Sequence, residues 1–293
     1  MRIAVYGRQF NDQAVFPYIQ QVFDILIQHN VEIYVHHQLH KYLQGNITAV
    51  EYKVLENTDQ IKGFIDLFLT LGGDGTLLDM VTVIRDSGVP VIGINFGRLG
   101  FLASINKNDI AAAIHAVVNQ QFSLDSRELL SITSEGEIFG KDNFALNDIT
   151  IHKRDDAAMI TTHVFIDDEF LNSYWSDGII ISTSTGSTAY SLSCGGPIIF
   201  PKSNSLVVTP ISPHNLNVRP VVLPDSCTLF FEVESRSANY LVTCDSRTAV
   251  IEKKIRFKVN KAGFQLNLVR LNNESYLSTL RNKLLWGLDA RNY

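Results

Sequence analysis

The sequence predicts an α/β domain with a parallel sheet, followed by a mainly β second domain. Short apolar strands alternate with amphipathic helices over the first third of the chain, whereas period-two alternation dominates after about Glu128. The length of 293 residues allows two modest domains. With 45% hydrophobic and 19% charged residues, the composition is typical of a packed globular protein.

Apolar runs of strand length recur through the first domain, which we expect to cover residues 1–124. They occupy residues 3–7, 31–35, 66–71 and 89–94. Between the first two runs, residues 13–28 carry apolar side chains at helical spacing, and a second helical stripe follows Thr76. This alternation of strands and helices indicates a parallel sheet covered by helices.

Strand patterns fill the second domain, which we expect at residues 125–267. The apolar runs lie at residues 129–133, 159–166, 179–182, 206–209 and 228–233, and alternating runs at 255–259 and 264–268. The tail, 268–293, carries apolar residues that predict a helix packing back on the first domain. They are Tyr276, Leu280, Leu284, Leu285 and Trp286.

Composition excludes several classes of protein. The net charge of −5 argues against a general nucleic-acid surface, although local loops can still bind a small anion. No run approaches 18 apolar residues, so no membrane span is expected, and the first residues turn polar at Arg8 before a signal-peptide core forms. The three cysteines are odd in number and form no CxxC pair, which indicates reduced thiols and a cytoplasmic location.

A glycine loop with the sequence GGDGT (residues 72–76) joins the third strand to a helix. Phosphate is favoured at such a junction, because unpaired N–H groups and the helix dipole face the ligand and Gly72, Gly73 and Gly75 allow close approach. Asp74 can accept a proton from an attacking hydroxyl, orient it, or help hold Mg²⁺. The alternatives are a plain turn, with Asp74 or Thr76 capping the helix, and a tight hairpin.

A second segment rich in glycine and hydroxyl groups spans residues 176–197. A buried strand at 179–181 enters this segment, and a short helix is expected to begin near Ser187. Small side chains let a flat ring or a phosphate lie against the backbone, and hydroxyls both donate and accept hydrogen bonds. Tyr190 can stack on a base and Asp177 can accept from an amide. The alternative is a Ser/Thr-rich loop that caps a helix, followed by a simple turn at 195–197.

Together these segments resemble the NAD kinase family. The matching motifs are GGDGT (72–76), Asn147-Asp148, TGSTAY through GGP (185–197), and PISPH (210–214) with Arg219-Pro220. Residues 95–101 and 244–246 resemble two further family segments, and the order is consistent from about residue 66 to 250. GGDGT alone is shared with lipid kinases of the diacylglycerol type and with phosphofructokinases, whereas the TGSTAY segment is more specific.

The resemblance implies a reaction and a set of roles. The 2′-hydroxyl of the adenosine ribose of NAD would receive a phosphoryl group from ATP or a related donor, with a divalent metal, Mg²⁺ by expectation. Asp74 would accept the hydroxyl proton, and Gly72, Gly73, Gly75 and Thr76 would hold phosphates. NAD would contact the following residues: Asp74, Gly75, Asn147, Asp148, Asp177, Thr185, Thr188, Ala189, Tyr190, Ser191, Leu192, Ser193 and Arg247. Among these, Asn147 and Asp148 would contact the adenosine portion, with Asp148 near the ribose hydroxyls.

The family is generally oligomeric, so a homodimer or homotetramer is expected, with Asp177 meeting the far end of NAD across a subunit contact. Trp175 and Arg247 lie near positions that often touch ligand, and Arg98 is a candidate for neutralising donor phosphate. Asp148 departs from the family, in which Glu is usual, so its carboxylate reaches one methylene less far. No side chain is assigned to the metal.

Two other functions remain open from the sequence. One is a lipid or sugar kinase that uses the same GGDGT loop, and the other is a dinucleotide sensor that no longer catalyses. His36, His37 and His40 look like a metal cluster, but no Cys or carboxylate accompanies them and the start of a solvated helix explains them. Cys194 is interpreted as a packing residue rather than a nucleophile. The carboxylates at 155–156 and 167–169 are assigned to solvated turns.

Overall fold

The computed structural model describes residues 1–10, 12–48, 50–56, 61–97, 100–154, 158–237, 239–252, 254–272 and 275–285. The chain divides into two compact units. The first consists of Met1–Ser126 with the chain from Leu266 onward, and the second of Arg127–Gln265.

The first unit is built on a parallel sheet. Its strands are β1 Arg2–Gly7, β2 Glu32–His36, β3 Lys53–Leu55, β4 Leu67–Leu71, β5 Val91–Asn95 and β6 Ile105–Asn106. They lie in the order β3-β2-β1-β4-β5, with β6 beside β5, and these pairs are all parallel. Gly7 is level with Leu71 and Leu71 with Ile94, so the carboxyl ends of three strands share one edge. In such sheets ligands bind at this edge.

Amphipathic spacing explains the helices. They are α1 Phe16–Gln28, α2 His37–Leu43, α3 Asp74–Ile84, α4 Ile110–Val118, α5 Tyr190–Ser193, which belongs to the second unit, and α6 Tyr276–Leu284. In α3 the buried residues are Leu77, Met80, Val81 and Ile84, three to four residues apart. Among the residues that the structure describes, no helix is both long and apolar enough to cross a membrane.

Several boundaries differ from the sequence prediction for physical reasons. The first helix begins at Phe16, with Pro17 in its first turn, and a 3₁₀ turn, Gln13–Val15, precedes it. The fourth predicted strand begins at Val91 rather than at residue 89, because Pro90 has no N–H to donate to the sheet. Helix α4 was not predicted from the sequence.

The second unit consists mainly of antiparallel strands. They are β7 Phe122–Ser134, β8 Phe144–Ala145, β9 Asp148–Lys153, β10 Ile160–Ile166, β11 Glu169–Ser176, β12 Gly178–Thr183, β13 Ser205–Ile211, β14 Val221–Pro224, β15 Leu229–Glu234, β16 Tyr240–Cys244, β17 Arg247–Ile251 and β18 Arg256–Leu271. β7 and β18 each include a division point between the units. One sheet has the order β14-β13-β12-β9-β16-β17, and the other contains β11-β10-β15-β18.

One apolar cluster of the second unit draws on both of these sheets. Ile149 and Ile181 come from the first sheet, and Phe231 and Phe257 from the second, and all four are fully buried. The parallel sheet of the first unit and the mainly β second unit confirm the predicted fold class. The two alternating runs at 255–259 and 264–268 are parts of the single strand β18.

Candidate active site

The GGDGT loop leads from β4 into the first turn of α3. Gly72 has φ +143°, and a Cβ there would overlap the Thr76 side chain, so this position requires glycine. Gly73 is the N-cap and supplies no side-chain cap, which leaves the N–H groups of Asp74 and Gly75 without intrahelical acceptors. A Cβ at Gly75 would meet no atom within 4 Å, so the helix entrance is open. This geometry suits an anion.

The Asp74 carboxylate is held by backbone N–H groups from a loop 27 to 29 residues further along the chain. Phe101 donates to Oδ2 at 2.8 Å, and Leu102 and Ala103 donate to Oδ1 at 3.0 and 2.9 Å. Gly100 completes this cradle, since a Cβ there would lie 2.5 Å from Asp74 Cγ. Asp74 therefore does not cap its own helix.

The cradle leaves Asp74 some acceptor capacity. An ionised carboxylate offers about four lone-pair positions, of which the three N–H groups occupy three. The remaining position belongs to Oδ2, which accepts only from Phe101 among the described residues. A carboxylate fixed in this way can accept one further hydroxyl in a defined direction.

In the second unit, Asn147 immediately precedes strand β9, and Asp148 is the first residue of that strand. The backbone of Asn147 is fixed by the last two residues of β12: its carbonyl accepts from the N–H of Thr183 at 2.9 Å and from Ser182 Oγ at 3.1 Å. A Cβ at Gly186 would overlap the Asn147 backbone, so glycine permits this close approach. Within the described part of the chain, the side-chain amide of Asn147 makes no hydrogen bond.

Asp148 is a buried carboxyl group. Thr150 Oγ1 donates to its Oδ1 at 3.2 Å. Burial, together with the nearby charge of Asp245, raises the pKa of Asp148 to about 7, and the Thr150 hydroxyl opposes this shift. Asp148 therefore changes its charge near neutral pH.

The segment 183–199 is pinned from inside by its hydroxyl groups. Thr183 Oγ1 donates to the Leu146 carbonyl at 2.6 Å, and Thr185 Oγ1 accepts from Arg127 Nη1 at 3.1 Å. Ser187 Oγ bonds with both the N–H and the carbonyl of Ile199. Of the predicted NAD contacts, Thr185 and Ser191 are buried, Thr188, Ala189 and Leu192 are half-buried, and Tyr190 and Ser193 are exposed.

Tyr190 and its neighbour Ser191 have different roles: one side chain is exposed and the other holds the backbone in place. Ser191 Oγ shares a 2.8 Å hydrogen bond with Thr209 Oγ1, so its hydroxyl holds the loop to β13. The Tyr190 ring is 47% exposed, as a base-stacking surface requires. Burial first, and then the charges of Cys194, Asp148 and Asp177, raise the pKa of Tyr190.

Three other predicted residues already have intrachain partners. Asp177 Oδ1 forms an ion pair with Lys153 Nζ at 2.8 Å. The Trp175 ring lies 4.3 Å from that of His214, centroid to centroid. The Arg247 guanidinium donates to the carbonyls of Asp142 and Phe144 and lies over the Phe144 ring.

Other residues came to light only in the structure, or lie outside what it describes. The cradle of residues 100–103 and the carboxylate of Asp245 were not assigned from the sequence as parts of the site. Gly100, Phe101 and Asp245 lie in segments that resemble the family, but no local pattern indicates their roles, because their partners lie tens of residues away. Arg98 lies outside the described residues, as do Leu99, Asp155, Asp156 and Trp286.

His36 and His40 have protein partners in the structure, and His36 is buried rather than at a solvated helix start as predicted. His36 is buried against Tyr6, its Nδ1 accepts from the N–H of Gln38, and it forms the N-cap of α2. His40 instead bonds to the Tyr52 hydroxyl at 3.0 Å. In the described part of the chain, no three His, Cys, Asp or Glu side chains are grouped to hold a metal.

Comparison with known proteins identifies the family. A model of the ATP-NAD kinase N-terminal domain matches residues 8–122, and a model of the ATP-NAD kinase C-terminal domain matches residues 146–271. The NAD kinase of Cytophaga hutchinsonii is 44% identical over the full length of both chains. That of Flavobacterium johnsoniae is 42% identical, again over both full lengths.

Two solved structures share the fold. The yeast NADH kinase complexed with NADH has a TM-score of 0.87 at 22% identity and covers 99% of this chain and 88% of its own. An NAD kinase from Archaeoglobus fulgidus in complex with ATP has a TM-score of 0.76 at 22% identity and covers 97% and 99%. Because both domain models match in order and relatives 44% and 42% identical align end to end, this chain belongs to the NAD kinase family.

Proposed function

We infer that this chain phosphorylates NAD to NADP with ATP as the phosphoryl donor. The full-length similarity to NAD kinases supports the activity, and the related enzyme complexed with ATP supports the donor. The comparisons do not support a lipid or sugar kinase or a non-catalytic sensor. The observation that carries the mechanism is the carboxylate of Asp74, fixed at an open helix entrance with one acceptor position left.

Asp74 orients the 2′-hydroxyl of the adenosine ribose and takes its proton. Phosphoryl transfer passes through a loose transition state, so alignment and charge neutralisation supply most of the catalysis. A carboxylate is a weak base at neutral pH, and it therefore receives the proton late, once the hydroxyl oxygen is bonding to phosphorus. The three N–H groups on Asp74 hold its direction during this step.

Different segments contact the phosphates and the dinucleotide. Gly72, Gly73, Gly75 and Thr76 take phosphates at the entrance of α3, where N–H groups and the helix dipole favour an anion. The second unit's contacts to NAD are Asn147, Asp148, Asp177, Thr185, Thr188, Ala189, Tyr190, Ser191, Leu192, Ser193 and Arg247. Ser191 and Arg247 act through the backbone they hold, because their polar groups already have intrachain partners.

A divalent metal, Mg²⁺ in this proposal, accompanies the triphosphate and neutralises charge on the donor phosphates. Mg²⁺ in nucleotide enzymes is held mainly by substrate phosphates, water and one or two carboxylates. That mode needs no cage of protein ligands, and the described residues offer none. The proton-accepting role of Asp74 does not depend on the metal.

We further propose a cytoplasmic homo-oligomer. Cys194, Cys227 and Cys244 are free thiols, as a reducing compartment favours. Strand β11, at the edge of its sheet, exposes Phe170 and Trp175, at 56% and 48%, which suits a contact with a second copy. Light scattering of the purified protein measures the assembly, and a monomer at micromolar concentration would refute it.

The test is an assay of NADP formation from NAD, ATP and Mg²⁺. Parallel reactions replace NAD with sphingosine, diacylglycerol or fructose 6-phosphate. We expect phosphate incorporation into NAD alone. NAD binding without NADP formation under any metal would indicate a sensor, and incorporation into a lipid or sugar would indicate the other kinase class.

A further inference from the structure

The tight turn between β16 and β17 brings Asp245 against residues 146–148. Asp245 has φ +52°, and its side chain is 2% exposed. Its Oδ2 accepts from the N–H of Leu146 at 2.8 Å, and its Oδ1 from those of Asn147 and Asp148 at 2.8 and 3.2 Å. Its own N–H donates to the Asp148 carbonyl at 3.0 Å. One residue thus fixes three consecutive backbone positions with four hydrogen bonds.

Two acidic side chains, Asp148 and Asp245, are buried beside each other here. Burial raises the pKa of Asp245, and three N–H groups and Arg247, 3.8 Å away, oppose this rise by favouring the ionised form. Asp148 has only the Thr150 hydroxyl in support, and burial and Asp245 raise its pKa to about 7. Because Asp245 has three N–H donors and Arg247 beside it, we assign the pair's shared proton to Asp148.

The other titratable groups around Asp148 do not replace Asp245 as a source of negative charge that raises the pKa of Asp148. Cys244 lies on β16, Tyr190 begins α5 and Cys194 follows that helix as its C-cap. Burial raises the pKa of each of these three groups. They are therefore neutral near pH 7. Among the groups that face Asp148, Asp245 supplies the negative charge.

We propose that Asp245 is a positioning residue of the dinucleotide site, which holds Asn147 and Asp148 for the adenosine ribose and sets the charge that Asp148 presents to the ribose hydroxyls. The inference rests on the proposed function for the identity of the ligand. The four hydrogen bonds and the shared burial of the two carboxyl groups carry it.

The inference predicts the direction in which kcat/KM for NAD changes with pH. A ribose hydroxyl donates to an ionised carboxylate, which offers acceptors only, whereas a protonated carboxyl group competes as a donor. NAD therefore binds the form in which Asp148 is ionised. With a pKa near 7, the ionised fraction rises from about one tenth at pH 6 to about nine tenths at pH 8, so kcat/KM for NAD increases about tenfold over this range.

The experiment compares the wild type with Asp245→Asn across pH 5.5–9. Asn keeps one oxygen but turns an N–H₂ group toward a backbone donor and removes the charge. We expect a several-fold higher KM for NAD with a smaller change in kcat, and a midpoint of the kcat/KM profile shifted about one pH unit lower. Asp167→Asn is the matched control, because Asp167 also has positive φ in a turn and accepts a backbone N–H, from Thr228, on the surface.

A second measurement depends neither on activity nor on the folding of Asp245→Asn. Carbon-13 NMR of the side-chain carboxyl groups follows Asp148 in the ligand-free wild type, with Asp148→Asn to assign its signal. Titration near pH 7 is expected. Titration near the ordinary pH of an Asp carboxyl, or an Asp245→Asn enzyme with unchanged KM and midpoint, would overturn the inference. A wild type that forms no NADP would instead overturn the proposed function.

Discussion

Replacing Gly100 with alanine tests the cradle around Asp74. The new Cβ would overlap Asp74 Oδ1 and lie 2.5 Å from Cγ and 2.8 Å from Oδ2, so the carboxylate or the loop must move. Three N–H bonds to the carboxylate are at stake, each worth about 1.5–3 kcal/mol when the acceptor is charged. Water restores part of this at a half-exposed site, which leaves a net destabilisation of about 1–3 kcal/mol.

Turnover is expected to suffer more than stability. A catalytic group displaced by about 1 Å can cost a factor of about 100 in rate. Urea unfolding gives the free energy of unfolding, and steady-state NADP formation gives kcat and KM separately. Gly100→Ala should lose roughly 1–3 kcal/mol of stability and at least about 100-fold in kcat.

Two other glycines provide matched controls for this substitution. A Cβ at Gly75 or Gly263 meets no atom within 4 Å, so neither alanine variant should lose stability. Gly75→Ala should nevertheless slow turnover, because phosphate is proposed to occupy that open space, whereas Gly263→Ala should behave as the wild type. A Gly100→Ala enzyme with the stability and kcat of the wild type would refute the role of the cradle.

Three further changes have defined outcomes. Asp74→Asn should lower kcat by about 10²–10⁴ with little change in KM for NAD, as NADP formation measures. Thr183→Val removes a buried hydroxyl that bonds to the Leu146 carbonyl and to the N–H of Gly186, and should cost about 1–3 kcal/mol in urea unfolding and raise KM for NAD. Burial lowers the pKa of His36 to about 4 from its usual 6.5, so His36 stabilises the fold above pH 6.5 and loses this contribution as the pH falls toward 4. Unfolding at pH 8 and pH 5 should differ by up to about 2 kcal/mol from this residue, less where water reaches the ring.

Each of these three predictions has an outcome that would contradict it. Near-normal turnover in Asp74→Asn would remove the proton acceptor from the mechanism. A Thr183→Val protein as stable as the wild type would mean that the hydroxyl's hydrogen bonds contribute nothing net. For the pH effect, His36→Asn keeps an acceptor at the N-cap, and the same acid sensitivity in that variant would assign the effect to other groups.

Local pattern predicted the elements that surround the glycine loop. Residues 67–71 are apolar except for Thr70 and form β4, and the spacing of Leu77, Val81 and Ile84 sets the buried face of α3. Strands β11, β14, β16 and β17 were not predicted. Their mixtures of polar and apolar residues, such as EFLNSYWS in β11, become strands through pairing with neighbours that are distant in sequence or across a turn.

The same distinction applies to the candidate site. GGDGT and TGSTAY are each a continuous stretch of sequence, so each motif and the chemistry of its residues could be inferred together from the sequence. The partners of the Asp74 and Asp245 carboxylates are backbone N–H groups, which every non-proline residue carries and which leave no trace in composition. The roles of the side chains named from the resemblance stay predictions until a dinucleotide is bound.

The separation between Asn147 and Asp245 also has a consequence for biosynthesis. Their hydrogen bond spans 98 residues, and β9 lies between β12 and β16, both of which emerge from the ribosome later. At about 5–20 residues per second, the nascent chain carries the segment proposed to contact NAD, Asn147-Asp148, for roughly 5–20 s before its buried carboxylate anchor is synthesised. A chain terminated before the β16–β17 hairpin would therefore keep the GGDGT sequence but lack both this anchor and the part of the first unit that starts at Leu266, so the proposed NAD contacts of Asn147 and Asp148 would be supported only near the end of translation.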